Sequence, residues 1–184
     1  NAQAAITAES FDTPAKMGNL LIFAPEGAGC TYEGNVVING IAEKISLTHG
    51  KGFRSPQAFK AKDITYKRNF SMKSGNKINA AGWEAIVLPF DVQSFSNEKQ
   101  GELAPFNSGK KGAKPFWLAQ MTTDGFEHTT AMKANKPYII SLPNSESYED
   151  EFNISGEVQF HAEDADGVEV KATSYKELAR IEGS

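Results

Sequence analysis

The stretch Gly82-Trp83-Glu84-Ala85-Ile86-Val87-Leu88-Pro89-Phe90 constrains the fold more than any other. It is apolar on both faces of an extended chain. Trp83, Ala85 and Val87 fall on one parity, and Ile86, Leu88 and Phe90 on the other. A strand with two apolar faces is expected to be covered on both, at the centre of a layered β fold. The run between Gly82 and Pro89 is too short for a core helix, and its Trp, Ile and Val suit a pleated surface.

Other segments supply partners for such a strand. Asn19–Ala24 is apolar and stops at Pro25. Val36-Val37-Ile38 and Ile41–Leu47 flank Asn39-Gly40, a hairpin signal, because Asn-Gly accepts the positive φ angles of a type I′ turn. Ile41, Ile45 and Leu47 are expected to share one face. Ile64, Tyr66, Arg68 and Phe70 alternate with polar residues, so Arg68 sits on an apolar parity. Its stem can lie on apolar surface while its head meets a carboxylate at a sheet rim. Glu84 and Asp91 are the acids expected to meet Arg68 or loop amides.

Residues 91–115 show no periodicity and read as one long loop, the kind of segment that often carries function. Phe116–Met121 is again apolar on both faces. Asp124-Gly125 suggests a second hairpin, Tyr138–Leu142 a short buried strand, and Val158, Phe160 and Ala162 an alternating one. Asp164–Gly167 reads as a turn into Val168–Ala172, and Ser174-Tyr175-Lys176-Glu177 has the form of a helix capping box. The sum is an all-β chain of about nine or ten strands with little helix. Helices are too scarce for βαβ units, so a mainly antiparallel, jelly-roll-like two-sheet β-sandwich is expected. Residues 1–18 read as a leader or edge segment and 19–184 as a single domain.

The chemistry is sparse. A net charge of -4 with interspersed signs leaves no basic stripe for nucleic acid. Lys110, Lys111 and Lys114 cluster beside Gly and Ser, as in a solvated loop. No apolar run approaches the ~20 residues that span a bilayer. Cys30 has no partner for an internal disulfide. His49, His128 and His161 are far apart and lack metal-ligand spacing. No GxSxG elbow or marked carboxylate pair is present, so no catalytic residue and no cofactor is expected. Asp164-Ala165-Asp166-Gly167 matches the opening of a calcium loop, but Glu169 comes too early to close it. Asp164 and Asp166 are the candidate ligands for a structural calcium ion. Trp83, Trp117 and Tyr32 are the candidates for stacking on a sugar ring. Both Trp lie in apolar runs, where core packing is the first reading.

An ordered series of short motifs adds context. Tyr66-x-Arg68-x-Phe70 is followed by Gly82-Trp83, Leu88-Pro89-Phe90-Asp91, Phe116-Trp117-Leu118, Ala134-Asn135-Lys136-Pro137-Tyr138-Ile139-Ile140 and Ile154-Ser155-Gly156-x-Val158-x-Phe160. Over about residues 63–162 this series resembles a β-sandwich module of secreted and cell-surface proteins of Bacteroidetes-type bacteria, found there beside leucine-rich-repeat, adhesin-like or carbohydrate-active neighbours. The resemblance implies an exported module that is part of a larger chain, with further strands after Phe160. It implies no catalytic residue. The expected function is non-catalytic binding, adhesion or spacing, with a glycan or a protein as surface partner. The alternatives are a carbohydrate-binding accessory domain and a glycoside hydrolase.

Overall fold

A computed structural model describes residues 18–27, 34–75 and 82–173. Among these residues the chain is all β, with no helix. Its eleven strands are β1 (Ile22–Ala24), β2 (Val36–Ile38), β3 (Ile41–Thr48), β4 (Phe59–Asn69), β5 (Glu84–Ile86), β6 (Ser94–Asn97), β7 (Gly101–Pro105), β8 (Lys114–Thr122), β9 (Gly125–His128), β10 (Tyr138–Ser141) and β11 (Glu157–Val170). The sheet is mixed: β1–β2 and β7–β8 are parallel pairs, while β2–β3, β6–β7, β6–β11, β8–β9, β8–β10 and β5–β10 are antiparallel. The capping box at Ser174 and the segments around Cys30 and Tyr32 lie outside the described residues, as do residues 1–17.

The chain forms two compact units. The first comprises residues 1–65 and 163–184. Its hairpin turns at Asn39 and Gly40, with φ angles of 50° and 79°, as the Asn-Gly pair requires. On β3 the inward residues are Ala42, Ile45 and Leu47, whereas Ile41 is 45% exposed. The inward parity therefore changes between Ala42 and Ile45, as one extra residue in the strand would cause. That shift replaces the expected Ile41 face. Two buried asparagines imitate strand peptides. Asn35 accepts from Ser46 N and donates to Ser46 O, and Asn19 does the same with Thr48. The expected turn at Asp164–Gly167 is absent, because β11 runs through it unbroken. Gly167 has φ +89°, and a Cβ there would stand 2.6 Å from Lys60 Cβ. The glycine serves close approach to β4 rather than chain reversal.

The second unit comprises residues 66–162. Its strands follow the order β4, β11, β6, β7, β8, β10, β5, with β9 attached to β8. Phe90, Phe116, Phe160, Leu88, Leu103, Leu118, Tyr138 and Ile140 form its core, each with 2% exposure or less. Phe95 stands edge-on to Phe116 at 5.1 Å and to Phe160 at 5.6 Å. The supposed loop 91–115 contains a hairpin, β6–β7. Asn97 builds its turn: Oδ1 accepts from Lys99 N and Gln100 N, and Nδ2 donates to Ser155 O and Glu157 O.

The stretch from Gly82 to Phe90 is not central. Its strand is three residues long and ends the order of strands in this unit. β10 pairs with one side of it. On β5 the Ala85 carbonyl accepts from Arg68 Nη1 at 2.7 Å, so a side chain takes a group that another strand would otherwise bind. Ile86, Leu88 and Phe90 are buried as expected, but Ala85 is exposed, Val87 is 37% exposed and Trp83 is half-buried. Pro89 has no N–H to extend a ladder, which stops the strand early.

Candidate functional site

Glu84 is a closely enclosed carboxylate. It pairs with Arg68, with side-chain exposures of 10% and 8%, and accepts from Ser71 N and Met72 N, each at 2.8 Å. Burial alone would raise its pKa. The Met72 and Ser71 amides and the Arg68 guanidinium outweigh burial and hold it below its ordinary value. A general acid needs the opposite shift. Tyr66, beside Arg68, has its pKa raised by burial despite that cation. Asp91 accepts from Ala134 N and pairs with Lys133 at 2.7 Å. Both acids thus meet the partner types expected of them, and each holds a junction between chain segments.

Asp164 and Asp166 are exposed on β11, and Asp166 N donates to Asp164 Oδ1 at 2.7 Å. Among the described residues no group of three His, Cys, Asp or Glu side chains converges as a metal site would require. No helix among them is long and apolar enough to cross a membrane.

The aromatic residues give the most developed surface feature. β8 points Phe116 and Leu118 into the core, at 0% and 1% exposure. Trp117 alternates with them and therefore faces outward, half-buried rather than packed in the core. Neither Trp is among the fully buried core residues, and both are of intermediate exposure. Phe106, 43% exposed, lies 5.2 Å from Trp117 with its ring tilted by 34°. Tyr148 lies 6.3 Å from Trp117, tilted by 57°. Three rings from β8, the segment after β7 and the segment before β11 thus meet on one face. Farther along β8 the outward Met121 faces Phe126 across the β8–β9 hairpin, and these are 54% and 56% exposed.

Phe106 also borders a shallow hollow of about 200 Å³ formed with Ala104, Asn107, Gly109, Lys111 and Pro115. Trp83 directly precedes β5 rather than lying on β8. Phe106 and Tyr148 were missed in the sequence because each is a lone aromatic in a polar segment, where periodicity has nothing to register. The one available signal for Phe106 was Pro105 before it, which ends an apolar pair. No family model, curated protein or solved structure matches the chain.

Proposed function

We propose that the chain is a non-catalytic, carbohydrate-binding module of an exported bacterial surface protein. The observation that carries this reading is Trp117, half-buried between Phe106 and Tyr148 on the outward face of β8. Aromatic faces bury the apolar C–H face of a sugar at small entropic cost, since each ring has only two side-chain torsions. The rings are mutually tilted, so they suit a single glycan chain better than a flat surface. The lowered pKa of Glu84 supports a structural role for this enclosed acid. The motif series supports the cellular address. A two-sheet, jelly-roll-like arrangement is supported by β8, whose first residues pair with β7 and whose later ones pair with β10 and β9.

The test is a glycan array probed with the purified chain, with and without calcium, followed by titration of any hit. Selective binding that Trp117→Ala abolishes while the fold persists sustains the proposal. A calcium requirement that Asp164→Asn with Asp166→Asn removes would assign a metal role to that pair. A second reading, a protein-binding or adhesive spacer, is favoured by the exposed Met121–Phe126 pair, since Met and Phe are common at protein interfaces. It takes precedence if no glycan binds.

A further inference from the structure

We infer that the glycan held by this face carries an acidic group, a carboxylate or a sulfate ester, seated by the loop between β7 and β8. The inference rests on the carbohydrate reading and names the ligand's class.

The loop is unusual in its economy. β7 and β8 are parallel, with Leu103 opposite Lys114 and Pro105 opposite Phe116. The chain must run back along the strand, a return that ordinarily takes about a dozen residues or more. Here only residues 106–113 are available. They manage it with three left-handed residues, Asn107, Gly109 and Gly112, at φ 64°, 73° and 83°. Phe106 N donates to Phe116 O, Ser108 N to Pro105 O, and Lys110 N to Ser108 Oγ. The loop's remaining N–H groups find no acceptor among the described residues. Tight turns that leave amides unpaired form concave anion seats.

Charge points the same way. Residues 103–116 carry Lys110, Lys111 and Lys114 and no carboxylate. Lys114 Nζ lies over the Phe152 ring at 5.2 Å, away from the loop. Glu102 pairs with Lys110 at 2.5 Å, so Lys110 and Lys111 against Glu102 leave a local charge of +1. Lys111 is exposed and has no ion-pair partner among the described residues. Across Trp117 the sign reverses: Tyr148 is flanked by Glu146, Glu149, Asp150 and Glu151. Lys111 thus favours an acidic group at the Phe106 end, where it lines the hollow. The hollow beside Phe106 is about 200 Å³. That is several times the ~30 Å³ share of a water molecule, so it accepts a charged substituent but not a whole oligosaccharide.

The test uses matched probes with the full chain: oligogalacturonate against its methyl ester, and dextran sulfate against dextran, titrated in low and moderate salt. The acidic member of at least one pair should bind tenfold or more tighter than its neutral twin, with the margin shrinking as salt rises. Which pair shows the margin tells carboxylate from sulfate. The K110A/K111A double variant should erase the margin, Lys111→Arg should keep most of it, and an unchanged thermal midpoint shows that each variant folds. Equal binding of both twins, lost in Trp117→Ala, overturns the acidic ligand and leaves the carbohydrate reading intact. A margin that survives K110A/K111A also overturns it. No binding to any probe or array glycan sinks both.

Discussion

Arg68 and Glu84 join the first and last strands in the order of the second unit. The guanidinium pairs with the Glu84 carboxylate and donates to the Ala85 carbonyl, while Glu84 gathers the amides of Ser71 and Met72. The pair thus replaces a backbone ladder between β4 and β5. Its Arg68 Nε is buried with no acceptor among the described residues, and the guanidinium lies 4.6 Å from the Phe70 ring centre. Removing one partner should cost far more than the pair is worth net. Arg68→Ala should lower unfolding free energy by about 3–5 kcal/mol, because it strands a buried carboxylate. Arg68→Met with Glu84→Leu should recover part of that loss. Urea unfolding of the two single variants and the double variant measures it; strictly additive effects would deny the coupling.

Acid should weaken the fold through the same residue. The Glu84 pKa is lower in the folded chain than its ordinary value, so the unfolded state binds the proton more readily. The resulting stabilisation is present above the unfolded value of about 4.3. It is lost as pH falls from there through the folded value. Glu84→Gln should flatten this part of the stability profile. Thermal midpoints between pH 3 and 7 check the sign: wild type should lose more than the variant on the acid side.

Asn97 is a second point where one side chain replaces several backbone contacts. It is 3% exposed and makes four hydrogen bonds, to Lys99 N, Gln100 N, Ser155 O and Glu157 O. Asn97→Ala orphans two donors and two acceptors, some of which water can reach. A loss on the order of 2 kcal/mol is expected. Hydrogen exchange should quicken in the β6–β7 turn first, and Asn97→Asp should restore the Lys99 and Gln100 contacts alone.

These junctions explain what the sequence could and could not reveal. The hairpins at Asn39-Gly40 and Asp124-Gly125 were legible because two residues decide a tight turn. The Arg68–carboxylate contact was legible because a charge on an apolar parity must find a counter-charge. The position of Gly82–Phe90 was not. Two apolar faces ordinarily mean cover on both, and nothing local announces that a distant guanidinium will take the Ala85 carbonyl. Gly167 misled for a related reason, since a glycine needed to admit Lys60 looks in sequence like one needed for a turn. The ring cluster was half legible. Trp117 could be named, but Phe106 and Tyr148 reach it through a parallel β7–β8 pairing and a tertiary contact that no short-range pattern encodes.

The two tryptophans separate the glycan reading from general stickiness. Trp117, on β8, stands between two other rings, whereas Trp83 directly precedes the edge strand β5. If the cluster is the recognition face, Trp117→Ala should weaken glycan binding by tenfold or more, equivalent to about 1.4 kcal/mol. Phe106→Ala and Tyr148→Ala should each cost less, since each removes one flank of the platform. Trp83→Ala should leave affinity unchanged. Calorimetric titration of the four variants against an array hit reads this order directly. Equal losses at Trp83 and Trp117 would point to non-specific adsorption on exposed apolar surface and would remove the ring cluster as the site.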